Sequence, residues 1–364
     1  MTATIFVMTH KKYDELQDSL YRTLQVGKTA GESLPYLGDD TGENISDQNP
    51  FYGELTGYYW IWKNYKADDV IGVCHYRRYF LNDKGQFMNE GELQQILAEY
   101  DVIVSDAPVS SQTNSERYKE SHNIKDLLAV GDVISRLTPE YKDSFDYMMQ
   151  EKRSYYANLL ITRHELFNSY CDWLFAILKE SEKSIDVSGY DSYHRRVYGF
   201  LSEFLLMVWI HKNGLKPYES RIGIVAEKAE TMELKNALAE LVRSQAYSNA
   251  RKLFYDYTAD RPDVRLPISD IRGEFPLIEQ ILYILELEQQ QQVVGLAQVS
   301  ADLKEQLIYY CRLREILQML GEQGITPECQ EFFAQHSVSV IAVEVALRNM
   351  EKVNADRVRQ ILFA

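Results

Sequence analysis

No Cys-x-x-Cys pair occurs in this chain, and its four cysteines (Cys74, Cys171, Cys311, Cys329) lie far apart. That spacing suggests neither a structural zinc site nor a disulfide framework, and a reducing compartment is the default. Long hydrophobic runs are missing too: none approaches the roughly 20 residues that a membrane span needs. The first residues lead straight into a strand-like Thr4-Ile5-Phe6-Val7-Met8 and do not resemble a signal peptide, so a cytoplasmic protein is expected. Positive charge is scarce, with 39 Lys and Arg against 54 Asp and Glu, for a net charge of −15. That balance excludes a nucleic-acid binder, and an anionic ligand has to be held by a local basic pocket instead of the global field. Tyrosine, by contrast, is abundant at 26 copies. Its apolar ring with a polar tip suits a sugar site, and suits ordinary packing equally well.

A length of 364 residues allows about two domains. Up to about residue 230, strand-like and helical segments alternate, which predicts an α/β domain with a mostly parallel central sheet. Strands are expected at 3–8, 21–26, 70–75, 101–104, 157–162 and 222–225. Helices are expected at 51–65, 90–99, 124–134, 139–151, 164–182 and 196–213, with Asn49 and Pro50 opening the first. Residues 110–122 are polar and expected to be mobile. From 231 to 364 the pattern is helical throughout (235–254, 276–292, 300–320, 327–353), which predicts a separate all-α domain.

The run Gly72-Val73-Cys74-His75-Tyr76-Arg77-Arg78-Tyr79-Phe80 carries the most chemistry. A buried strand ends in an imidazole, two guanidiniums and phenols. Ligands of open α/β sheets bind outside the carboxyl ends of strands, and an arginine fork matches phosphate oxygens bidentately. A surface loop whose arginines pair with nearby carboxylates would read the same way.

Several further motifs occur in one order: Asp39-Asp40-Thr41-Gly42-Glu43-Asn44-Ile45-Ser46, Asn49-Pro50, Glu54-Leu55-Thr56-Gly57, Tyr59-Trp60-Ile61-Trp62-Lys63-Asn64, and the Gly72–Phe80 run. Asn158-Leu159-Leu160-Ile161, Tyr170 to Phe175, and Arg196 with Gly199 to Glu203 follow. Together they resemble the bacterial capsular and exopolysaccharide glycosyltransferases long filed as a domain of unknown function, a group that includes galactofuranosyltransferases. The likeness covers about residues 3–225. It implies a GT-A-like nucleotide-diphospho-sugar transferase domain at 1–230, followed by the helical domain at 231–364. It also implies transfer of a sugar, galactofuranose being one candidate, from a UDP-sugar to a polysaccharide or lipid-linked oligosaccharide acceptor. Such acceptors would bring the protein to the inner face of the cell membrane as a peripheral visitor, and the helical domain could join copies into a homo-oligomer.

Many GT-A enzymes hold a divalent metal on the donor diphosphate with an Asp-x-Asp motif, and this chain contains none. His75-Tyr76-Arg77-Arg78 stands where that motif would lie, so fixed positive side chains, with Arg196 as a second contributor, are expected to replace the metal. No cofactor is then required, with Mn²⁺ or Mg²⁺ at Asp39 and Asp40 as the alternative. Glu203 is the candidate general base, or else a partner of Arg195 or Arg196. The donor side is expected to gather Thr9, His10, Asp39, Asp40, Asn44, Ser46, Asn49, Glu54 and Lys63, although Asp, Asn and Ser between 39 and 46 also favour plain turns. Asp106 and His122 are acceptor-side candidates. Two other readings are a non-catalytic, sugar-nucleotide-binding scaffold subunit and a phosphotransferase using His75.

Overall fold

The structure, a computed structural model, describes residues 2–266 and 269–363. It divides into two compact units, Met1–Val225 and Ala226–Ala364. Among the described residues no helix is long and apolar enough to cross a membrane.

The first unit is built on nine strands: β1 (Ala3–Thr9), β2 (Tyr21–Gln25), β3 (Leu37–Gly38), β4 (Val70–His75), β5 (Arg78–Phe80), β6 (Val102–Ser105), β7 (Leu160–Arg163), β8 (Pro217–Ser220) and β9 (Ile222–Ile224). The sheet runs β3-β2-β1-β4-β7-β6-β8, with β5 bridging β4 and β9. Along this path β7 alone is antiparallel to its neighbours β4 and β6; the other pairings are parallel. A parallel strand is covered on both faces and reads as a near-continuous apolar run. In β4, Val70, Ile71, Val73 and Cys74 are each 1% exposed or less. Phe6, Met8, Ile71, Val73, Val102 and Val104 face one layer, with the helices Leu55–Asn64, His164–Ser181 and Val197–Lys212. Ile5, Val7, Val70, Cys74 and Ile103 face the other, where the helix Glu90–Glu99 packs Leu93 and Leu97.

Register then places the strand ends. Met8 of β1 lies opposite His75 of β4, so His10 and Tyr76 emerge together at one sheet edge, with ring centroids 5.9 Å apart. Because β7 runs backwards, its first residue, Leu160, lies opposite Val73 and Val104 near that same edge.

Several expected elements are corrected. The helix over 51–65 is broken at Gly53 (φ 56°), leaving Asn49–Tyr52 and Leu55–Asn64. The expected strand at 157 begins at Leu160, because Ala157 (φ 67°) and Asn158 (φ 48°) are both left-handed. Residues 110–122 are not a loose loop: Asn114–Ser121 is helical, closed by a Thr113/Glu116 capping box. Asn114 Nδ2 ties it down by donating to the carbonyls of Met148 (2.9 Å) and Arg153 (3.1 Å). Strand β8 escaped sequence reading because Pro217-Tyr218-Glu219-Ser220 carries no apolar alternation.

The second unit is all helical. The expected 235–254 segment is two helices, Ala229–Arg243 and Tyr247–Asp260, split at Gln245 (φ 57°), and 327–353 likewise splits into Pro327–Gln335 and Val340–Arg348. Phe254, Phe275, Ile281, Tyr310 and Leu317 lie in its core. Lys235 sits among Glu227 (2.8 Å), Asp270 (2.8 Å) and Glu274 (2.6 Å). Among the described residues these three carboxylates are the one group close enough to share a cation, and the lysine ammonium already fills that role.

Candidate active site

The strand-end edge collects the charged side chains of the first unit. Arg77 is buried (5% exposed) in the turn between β4 and β5, and Arg78 opens β5. Among the described residues no group meets the Arg78 Nε or the His75 Nε2. Burial pushes the Arg78 guanidinium down in pKa, while Glu203 and Glu54 pull it back up. Burial, and then Arg78, Arg77 and His10, hold the His75 imidazole well below the usual histidine range, so it is neutral at pH 7.

Glu203 lies in the second turn of Val197–Lys212. Its carboxyl is raised from 4.5 to about 7, first by burial and then by the neighbouring Glu54. The Ala157 backbone N–H, Arg78 and Arg196 oppose that rise. Two carboxyls and two guanidiniums thus act on one another at the strand ends, and perturbed groups of this kind cluster at functional sites.

Asn158 holds this arrangement together. Its Nδ2 donates to Glu54 Oε1 (2.6 Å) and to the Gly199 carbonyl (3.0 Å). Its Oδ1 accepts from Ser202 Oγ (2.8 Å), and its carbonyl accepts from Tyr58 O–H (2.6 Å). One side chain therefore links the start of helix Leu55–Asn64 to the start of helix Val197–Lys212. The left-handed Ala157-Asn158 pair aims the Ala157 N–H at Glu203. Backbone strain in non-glycine residues persists where the surroundings over-determine it, often at functional sites. In the sequence Asn158 stands out only within the Asn158-Leu159-Leu160-Ile161 motif. The available signal was its type, since asparagine tolerates the left-handed region best after glycine.

The structure brings together Glu203, Glu54, Arg78 and Arg196, joined through Arg78 to His75, Arg77 and His10. Tyr76 joins them at the His10 ring. Thr9 shapes the turn that presents His10: its Oγ1 donates to the Lys11 carbonyl (2.6 Å) and accepts from the Lys11 N–H (3.1 Å). His122 stacks on Phe200 (4.1 Å, 22°), one turn from Glu203, and Arg196 lies over Phe200 (5.6 Å) and Tyr193 (5.0 Å).

Other candidates have local tasks. Asp39 is fully buried and accepts from Gly27 N–H (2.8 Å), Lys28 N–H (3.2 Å) and Ser46 Oγ (2.5 Å). A cation at Asp39 would have to displace bonds that build the loop, and Asp40 faces solvent. Asn44 closes a turn through Gly42 and Ser46. Asn49 Nδ2 donates to the Gly53 carbonyl (2.7 Å). Lys63 sits over the Trp62 ring (3.5 Å) beside Glu43 (3.5 Å). Asp106 is exposed just past β6, its N–H bonded to the Ser220 carbonyl (2.9 Å).

Comparison with known proteins accords with this layout. The apo structure of WbbM, a bifunctional glycosyltransferase, matches with a TM-score of 0.59 and 29% identity. The match covers 62% of this chain and 46% of that one, so it spans less than half of WbbM's length. No curated protein sequence matches. The α/β unit is thus GT-A-like, with a helical part following it. Residues 4–214 match the family profile described as Domain of unknown function (DUF4422), and the chain belongs to that family.

Proposed function

We propose that this chain is a glycosyltransferase that moves a sugar from a UDP-sugar to a hydroxyl of a capsular or exopolysaccharide precursor. UDP-galactofuranose is the donor suggested by the family resemblance. The observation that carries the reading is Glu203, a carboxyl poised at about 7 beside Arg78 and Arg196 at the strand-end edge. The WbbM likeness supports it.

In this reading Arg77 and Arg78 hold the donor diphosphate and balance the charge that grows on it as the glycosidic bond breaks. Arg78 is well suited, because a desolvated guanidinium interacts more strongly with an anion than a hydrated one does. His10 and Thr9 lie where the nucleotide base would rest. Glu54, fixed by Asn158, faces the sugar and keeps Glu203 basic. Glu203 accepts the proton of the acceptor hydroxyl as its oxygen attacks the anomeric carbon. The new C–O bond forms as the bond to the diphosphate oxygen breaks, and the electron pair leaves with UDP. A single displacement of this kind inverts the anomeric centre.

The test combines thermal-shift binding with UDP release. UDP-sugars at a hundred times their Kd should stabilise by about 2.7 kcal/mol, with or without EDTA. Glu203→Gln should keep UDP binding within about twofold and lose about 10²–10⁴ in rate, whereas Arg78→Ala should lose UDP binding. A shift that requires Mn²⁺ would replace the arginine clamp with a metal. A chain that neither binds nor turns over any nucleotide sugar would overturn the reading in favour of a scaffold.

A further inference from the structure

Buried polar groups in folded proteins are nearly always partnered, and each unmet one costs about 1–3 kcal/mol. Among the described residues, four of the unmet groups are His75 Nε2, Arg78 Nε, the Tyr118 hydroxyl and His122 Nδ1, and Glu203 acts electrostatically on the Arg78 guanidinium and the Tyr118 phenol. The first two belong to the arginine side. The other two come from the helix Asn114–Ser121 and the residue that caps it. Tyr118 and His122 are spaced i,i+4, their ring centroids are 5.0 Å apart, and the His122 N–H donates to the Tyr118 carbonyl (2.8 Å).

Tyr118 is 8% exposed, and its phenol lies within electrostatic reach of Glu203, Asp126 and Tyr190. His122 is packed against Phe200, on the same helix and three residues before Glu203. Tyr118 thus neighbours the base, and His122 lies beside Tyr118 and Phe200, with Arg196 close to it. Burial, His194 and Arg196 lower the His122 imidazole to about 4, so it carries no charge at pH 7. A phenol O–H and a neutral imidazole nitrogen offer one donor and one adaptable donor or acceptor. That set satisfies the donor and acceptor needs of hydroxyl groups.

We infer that Tyr118 and His122 form the acceptor subsite, where they bind a pair of hydroxyls on a neutral saccharide and set the attacking hydroxyl against Glu203. The inference rests on the glycosyltransferase reading above and adds to it the half of the cleft that receives the acceptor.

The test uses the full chain, the UDP-sugar that gives the fastest UDP release, and a panel of octyl glycosides of common hexoses as acceptor probes. Two quantities are read: slow UDP release into water, which needs no acceptor, and its acceleration by the glycoside. Tyr118→Phe, which removes only the hydroxyl, should raise the glycoside concentration for half-maximal acceleration about five- to tenfold, the worth of one neutral hydrogen bond. UDP binding, which the arginine side carries in this reading, should stay within about twofold. His122→Ala should do the same, and His122→Asn, whose amide falls near the lost Nδ1, should recover part of the effect. Unchanged acceptor dependence in both Tyr118→Phe and His122→Ala would overturn the subsite and leave the glycosyltransferase reading intact. So would a panel in which no glycoside accelerates the wild type at tens of millimolar. A wild type that neither binds UDP-sugars nor releases UDP would instead sink the reading beneath it.

Discussion

A general base that a fold keeps protonated up to about pH 7 should weaken the protein that carries it. The Glu203 carboxyl rises from 4.5 to about 7, which at 1.36 kcal/mol per pH unit is roughly 3 kcal/mol against the charged form. Between those values the native state binds more protons than the unfolded chain, so stability falls as pH rises through that window. Below 4.5 the penalty is absent, and above 7 it is complete. Glu203→Gln removes the titrating group while keeping its shape. For a unit of about this size, 1 kcal/mol corresponds to about 2–4 °C in Tm. The gain should therefore be several degrees at pH 8 and close to zero at pH 4.5. The assay is a pair of melting curves per protein across that range, with rate measured alongside. Activity should collapse in the variant whose Tm rises. If Glu203→Gln lowers Tm equally at both pH values, the carboxylate is a structural ion-pair partner, and both the burial argument and the base assignment fall with it.

The rate itself should climb about tenfold per pH unit below 7 and level off above. Glu54→Gln should move that midpoint toward acid, since Glu54 ranks second to burial among the causes; a midpoint that does not move would remove Glu54 from the site's electrostatics. Ala157→Gly should raise Tm slightly, because the left-handed conformation costs a non-glycine residue about 1–2 kcal/mol and glycine gives back only part of that in entropy. A lower Tm would show that the Ala157 methyl packs more than the turn strains. In the helical unit, Lys235→Met leaves Glu227, Asp270 and Glu274 without their cation, which should cost about 3–5 kcal/mol, while Lys235→Arg, which keeps the charge, should cost clearly less. Urea melts of the two variants would check it, and an equal loss in both would contradict the charge argument.

Much of the α/β frame was legible because β4 is apolar from Val70 to Cys74 and stops at His75, a boundary that hydrophobic pattern alone marks. Arg78 can be read as a candidate because it comes shortly after that run, whereas Glu203 stands out by its place early in an apolar helix and by the family resemblance. The site's supports were not. Asn158 acts through a backbone conformation and partners up to 104 residues away in Glu54, and neither leaves a periodic trace. Asp39 reads as a donor ligand in a polar loop, yet its neighbours' N–H groups consume it, because a tight loop must satisfy its own amides first. The segment 110–122 reads as mobile from polarity alone, but a capping box and one asparagine suffice to fix it.

The reversed strand β7 has a topological consequence. In a uniformly parallel sheet every strand reaches the mouth with its last residues. Running β7 backwards lets a strand deliver its leading residues there instead, so Ala157 and Asn158 arrive at the mouth before the strand begins. Had β7 run parallel, they would lie at the far edge, about 13 Å away for four residues at 3.3 Å each. The inversion of one strand is thus what brings Ala157 and Asn158 to the candidate site, beside Glu203 and Glu54.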